Sequence, residues 1–123
     1  MGKKICVLED NTDIRELIEF LLNDAEYVVS GFSSVSTFMK RDPKYFPDLF
    51  LLDVSLPDGS GIDVCRLLKA HSHTKDIPVL IMSAHSDKHQ IEISCKAQGF
   101  VSKPFDIYDL LKKVDTLINF IPG

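Results

Sequence analysis

Short, wholly apolar runs alternate along this chain with stretches of helical periodicity, and each run ends in polar chemistry. Ile5-Cys6-Val7-Leu8 leads into Glu9-Asp10, and Leu49-Phe50-Leu51-Leu52 into Asp53. Val79-Leu80-Ile81-Met82 leads into Ser83, and Phe100-Val101 into Ser102-Lys103-Pro104. Strands that are apolar along their whole length are those of a parallel sheet covered on both faces. A shorter strand is expected at Val28-Val29. Between the strands, Ile14, Leu17, Ile18, Leu21 and Leu22 recur at helical spacing after Asn11, Thr12 or Asp13 as a cap. Val35, Phe38 and Met39 mark a second helix, which Asp42-Pro43 should break. Ile62, Cys65 and Leu68 predict a third helix from about Gly61 to Ala70. Ile77-Pro78 opens the next strand, and a polar, weakly periodic segment over about 86–96 is expected to be helical. Asp106 caps a last helix with Ile107, Leu110, Leu111, Val114, Leu117, Ile118 and Ile121 facing inward. The product is a (βα)₅ chain with no repeat or linker.

Composition narrows the class. At 123 residues, 45% hydrophobic and 26% charged, the chain suits one globular domain with a real core. The formal net charge of −4 offers no basic footprint for direct nucleic-acid binding. No apolar run approaches the roughly 20 residues that span a bilayer. The start, Met1-Gly2-Lys3-Lys4, leads straight into a strand and not into a signal segment, so a cytoplasmic protein is expected. Cys6, Cys65 and Cys95 are odd in number and far apart, and they read as buried, reduced thiols.

If the runs are parallel strands of one sheet, their carboxyl ends open on one edge, where open α/β sheets bind ligands. Glu9, Asp10, Asp53, Ser83 and Lys103 would converge there. Taken singly these residues are ordinary: acids after strands cap turns and helices, and a lone lysine is usually solvated. Their joint placement is what matters. A hard cation such as Mg²⁺ takes oxygen ligands from one or two carboxylates, water and phosphate. A lysine and a hydroxyl across the cleft could bind the remaining phosphoryl oxygens.

Four segments, in this order, carry a resemblance: Leu8-Glu9-Asp10-Asn11, then Leu51-Leu52-Asp53-Val54-Ser55-Leu56-Pro57-Asp58-Gly59-Ser60-Gly61, then Ile81-Met82-Ser83-Ala84, then Gly99-Phe100-Val101-Ser102-Lys103-Pro104-Phe105. Over essentially its whole length the chain resembles the receiver domain of two-component response regulators. The resemblance implies a flavodoxin-like doubly wound sandwich, one domain over residues 1–123, with a five-stranded parallel sheet in order 2-1-3-4-5. It implies that Asp53 accepts a phosphoryl group from a phosphohistidine on a histidine kinase or histidine phosphotransfer protein. Glu9, Asp10, Asp53 and the Ser55 backbone carbonyl would hold Mg²⁺, or Mn²⁺ in its place. Ser83 and Lys103 would bind phosphoryl oxygens, and the Lys103-Pro104 bond would be cis. Phe100 would be the aromatic that turns inward when the Ser83 hydroxyl moves, switching the face made by the 86–96 helix, the fifth strand and the last helix. Ser55 and His85 would tune the phosphoryl lifetime. Such a protein catalyses its own modification and slow hydrolysis without being a turnover enzyme, and a phosphorylation-dependent dimer is compatible with it.

Two features depart from that family's usual pattern. Ser83 and Lys103 lie 20 positions apart, about two fewer than the resemblance leads one to expect, and Lys96 stands where glycine is common. Both fall on the surface that receivers present to partners. Two other classes share the topology. A flavodoxin-type flavin module would need hydroxyls and glycines after the first strand, where Glu9-Asp10 would repel a phosphate. An Asp-nucleophile phosphohydrolase would carry a second Asp where Ser55 stands. The cognate kinase and the output, whether a downstream protein or a fused domain, are not encoded in these motifs.

Overall fold

A computed structural model describes residues 2–84 and 96–119. Its strands are β1 (Lys4–Leu8), β2 (Val28–Phe32), β3 (Leu49–Asp53), β4 (Val79–Ser83) and β5 (Gly99–Ser102). All pair in parallel, in the order β2-β1-β3-β4-β5, as expected. The helices are α1 (Thr12–Asp24), α2 (Val35–Met39), α3 (Gly61–Ala70) and α4 (Ile107–Ile118). The helix expected over 86–96 lies largely outside the described residues, as do His85, Cys95 and Ile121. Among the described residues, no helix is long and apolar enough to cross a membrane.

The sheet separates two apolar clusters. On one face Phe38, Val64, Cys65 and Leu68 from α2 and α3 pack on Cys6, Leu8, Phe50, Leu52 and Ile81. On the other, Ile18, Leu22, Leu110 and Val114 from α1 and α4 pack on Ile5, Val7, Leu51, Leu80 and Met82. Alternate residues of each central strand therefore feed opposite cores, which is why those strands are apolar throughout. Burial pushes the Cys6 thiol up to about 12, so it stays a neutral, packed side chain. Cys6 and Cys65 are both buried.

Caps set the helix starts. The Asn11 side chain accepts from the Ile14 amide, Ser60 from Ile62 and Asp106 from Asp109. Ser34 and Thr37 form a reciprocal capping box on α2. That helix ends at Met39, with Lys40 as its C-cap, before Asp42-Pro43 is reached. Three stripe residues do not face inward as the periodicity implies. Leu17 is 45% exposed, Met39 52% and Ile107 41%. The cause is geometric: a helix lying on a sheet buries only the central rows of a wide stripe, and residues on its margin overhang into solvent.

Candidate functional site

The carboxyl ends of β1, β3, β4 and β5 bring the polar residues together. Glu9 follows β1 and is fully buried, its amide donating to the Phe32 carbonyl at the end of β2 (3.0 Å). Arg15 of α1 donates through Nη1 to the Glu9 backbone carbonyl at 2.8 Å, so the α1 face fixes the acid loop from behind. Asp10 is exposed beside it. Asp53 is the last residue of β3 and only 4% exposed. Gly61, the first residue of α3, lies against its backbone, and a Cβ there would collide with the Asp53 carbonyl oxygen. The helix can thus start right beside the acid only because residue 61 has no side chain.

One carboxylate oxygen from each of Glu9, Asp10 and Asp53 lies within 4.8 Å of the others. Lys103 Nζ bridges two of them, 2.6 Å from Glu9 Oε1 and 3.2 Å from Asp53 Oδ2. The second Glu9 oxygen accepts from the Asn11 amide at 3.1 Å. Lys103 reaches this position from the end of β5, where its own amide donates to the Ser83 carbonyl at 2.7 Å and the Lys103-Pro104 peptide is cis. Ser83 ends β4 with its residue 9% exposed, one position beyond Met82, the register partner of Asp53.

Burial pushes the Glu9 carboxyl above its ordinary range, against the lowering pull of its bonds from Lys103 and Asn11, and the Asp53 charge adds to the rise. Burial alone would lower Lys103. Its hydrogen bond to Glu9 and the charge of Asp53 outweigh that, so the ammonium is raised. Three clustered carboxylates facing one ammonium leave the site with excess negative charge. Such a donor set, all oxygen and partly exposed through Asp10, fits a hard divalent cation.

Other expected site residues are less tightly engaged. Ser55 is exposed and pairs with Ser60 in a small antiparallel hairpin, Ser55–Leu56 with Gly59–Ser60, that crosses the loop after Asp53. Phe100 is half-buried against the α2–α3 core, and Lys113 of α4 donates to its carbonyl at 2.8 Å. Lys96 is exposed. Sequence reasoning missed three features: the Arg15 anchor, the direct Lys103–Glu9 ion pair and a contact from Asp58. The Asp58 carboxylate accepts from the Val35 and Ser36 amides at 2.8 and 2.9 Å, tying the hairpin to the start of α2. Each joins residues distant in sequence or on another element, and only for Arg15, one helical turn into α1 on the side of Asn11, did the periodicity carry a usable hint.

Residues 5–115 match the response regulator receiver domain family. The chain is 30% identical over 120 residues to the transcriptional regulatory protein GltR of Pseudomonas aeruginosa, covering 96% of this chain and 50% of that protein. It is 30% identical over 123 residues to the phosphate regulon transcriptional regulatory protein PhoB of Escherichia coli, covering 98% and 54%. The chain spans about half the length of these curated relatives. Among solved structures, it superposes with a TM-score of 0.87 and 20% identity on the receiver domain of the Pseudomonas aeruginosa sensor histidine kinase PA1611. That alignment covers 98% of this chain and 100% of the other, whose active site cleft coordinates a magnesium ion. These matches favour neither a flavin module nor a phosphohydrolase. Because the matched span runs from the first strand into the last helix and takes in every member of the strand-end cluster, the chain belongs to the receiver domains of two-component response regulators.

Proposed function

We propose that residues 1–123 act as one receiver unit in which Asp53 is the phosphoacceptor, supplied from a phosphohistidine on a histidine kinase or phosphotransfer protein. The observation that carries this reading is the bridge from Lys103 Nζ to Glu9 and Asp53 at a strand edge that also carries Asp10. An Asp53 carboxylate oxygen attacks phosphorus in line, so that a P–O bond forms as the P–N bond to the donor imidazole breaks. Glu9, Asp10, Asp53 and the Ser55 carbonyl would hold Mg²⁺ or Mn²⁺, which supplies charge neutralisation on the transferring group. Lys103 is held where it can pair with a phosphoryl oxygen once Asp53 is modified, and Ser83 lies on the adjacent strand end to offer a second bond.

Incubation with Mg²⁺ and acetyl phosphate should add one phosphoryl mass to the protein, and Asp53→Asn should gain none. An equal gain in the Asn variant rejects the assignment. Ser55 and His85 are the side chains proposed to set phosphoryl lifetime, and replacing either should change the decay rate several-fold.

The switch is read in the same terms. New bonds from Ser83 and Lys103 to the phosphoryl group bias a two-state equilibrium in which Phe100 moves inward. The Lys113 bond to the Phe100 carbonyl supports the coupling, since it ties the strand bearing Phe100 to α4. Amide shifts along β5 and α4 should therefore change on adding Mg²⁺ with beryllofluoride, and shifts confined to the acid loops would remove this face from signalling. GltR and PhoB are transcriptional regulators of about twice this length. A fused or separate partner that controls transcription is accordingly the proposed output, and a phosphorylation-dependent dimer is a means of reaching it.

A further inference from the structure

At the opposite end of the sheet from Asp53, a cavity of about 240 Å³ opens between the ends of α2 and α3 and the segments that follow them. Phe38, Val64 and Leu68 form its floor, and Met39, Phe46 and Leu67 stand exposed around it. The His73 ring stacks at a tilt on Phe46, with centroids 5.8 Å apart, which gives the cavity an aromatic wall. Arg41 also lines it. Its guanidinium carbon sits 4.1 Å from the centroid of the fully buried Phe38 ring and 5.6 Å from that of Phe50. Nη1 donates to the Phe38 carbonyl at 3.0 Å, while the buried Nε has no hydrogen-bond partner.

The charge pattern is unusual for this protein. Acidic residues outnumber basic ones 18 to 14 along the chain, yet among the described residues none that lines the cavity is acidic. Among the described residues Arg41 has no carboxylate partner, although cations taken out of water are ordinarily paired. Lys103, a cation drawn inward at the opposite end of the sheet, has two. A half-buried guanidinium set over aromatic rings, without a carboxylate partner and lining an apolar cavity, is preorganised for a planar carboxylate.

We propose that this cavity binds a small apolar carboxylic acid, whose carboxylate pairs with Arg41 and whose hydrocarbon part fills the space bounded by Met39, Phe46 and Leu67. The volume lies just below the ~300 Å³ at which drug-sized sites begin, so the ligand is a single aromatic ring or a short alkyl chain bearing the acid. The site is remote from the strand-end cluster and does not depend on Asp53 chemistry.

The test is titration of the isotope-labelled protein with phenylacetate and, separately, with its neutral amide, read by amide and methyl shifts. The acid should produce saturable shifts at Met39, Arg41, Leu67 and Thr74 and bind at least about tenfold more tightly than the amide, a difference of ~1.4 kcal/mol. Arg41→Met, which keeps the stem packed on Phe38, should erase that preference while the amide's weak binding persists. Thermal melts establish that the variant is folded, and Arg41→Lys, with the charge but not the planar fork, serves if it is not; the Lys variant should keep only part of the preference. Equal binding of acid and amide, no saturable shift at these residues, or shifts centred on Lys103 and Asp53 would overturn the proposal.

Discussion

Lys103 and Arg41 are partly buried cations at opposite ends of one sheet, and the structure treats them differently. Lys103 lies among carboxylates, with Glu9 and Asp53 both within 3.2 Å. Arg41 lies among rings, with one backbone carbonyl as acceptor and, among the described residues, no acid. At the first end charge is concentrated and partly neutralised, which suits a divalent ion and a transferring phosphoryl group. At the second it is shielded by aromatic faces and left available. A parallel sheet makes this asymmetry natural, because its strand carboxyl ends gather on one edge, and there Glu9, Asp10 and Asp53 meet.

The largest effect is expected at Lys103. Lys103→Met strands the buried Glu9 carboxylate beside Asp53, and removing one partner of a buried ion pair costs about 3 kcal/mol. Mg²⁺ should restore more stability to this variant than to the parent, because the lysine no longer competes for the same oxygens. Denaturant melts with and without Mg²⁺ read both effects. A Mg²⁺ increment no larger than the parent's would show that Lys103 and the cation do not share ligands.

Proton linkage sharpens the same end. Glu9 has a folded pKa raised above its ordinary 4.5, so its contribution to stability is present in acid and lost as pH rises through the raised value. Lys103, raised above 10.5, contributes fully below that value and loses its contribution as pH climbs through its folded pKa. With Glu9 as a metal ligand, as proposed, Mg²⁺ binding would run the other way, because the cation would displace any proton on Glu9. Its affinity should fall as pH drops toward and through the raised Glu9 value, beginning above 4.5. In Glu9→Gln that pH dependence should be largely gone, and a profile identical to the parent's would remove Glu9 as its source.

Arg41→Met is the counterpart at the far end and should cost about 2 kcal/mol, the sum of a partly desolvated cation–π contact and one hydrogen bond to a neutral carbonyl, and so less than Lys103→Met. A loss as large as that of Lys103→Met would mean that Arg41 has a structural partner of comparable strength, and the contrast between the two ends would fail.

How legible each end was in the sequence follows from the same contrast. The acid edge was readable because each of its members sits where an apolar run gives out, and the run itself is a strong signal. α3 was readable over its whole length because Gly61 opens it and Ile62, Cys65 and Leu68 keep the helical period. Arg41 had no such signal. A cation just past a short helix, ahead of Asp42-Pro43, looks like ordinary surface, and only the fold stacks it on Phe38 and Phe50. Leu17, Met39 and Ile107 belong to helical stripes by period, but which row of a stripe is covered depends on the extent of the sheet beneath. The Ser55–Ser60 hairpin read as plain turn chemistry because two-residue strands leave no periodic trace.

The smallest effect concerns Asp58, the link from the acid edge to α2. Its carboxylate bonds to the Ser36 and Val35 amides hold its pKa below the ordinary 3.8, so the tie is present above that value and lost as pH falls through the depressed one. The group is fully exposed, and α2 keeps its own cap in Ser34 and Thr37. Asp58→Ala should therefore barely move the thermal midpoint, yet it should speed amide hydrogen exchange at Val35 and Ser36 several-fold, with Asp58→Asn in between because it retains one acceptor oxygen. If the tie also steadies the hairpin that carries Ser55, Mg²⁺ affinity should drop slightly in the Ala variant and less in the Asn variant. Unchanged exchange at both amides would mean that Asp58 rests against α2 without holding it, and the acid edge would then be organised by its strands alone.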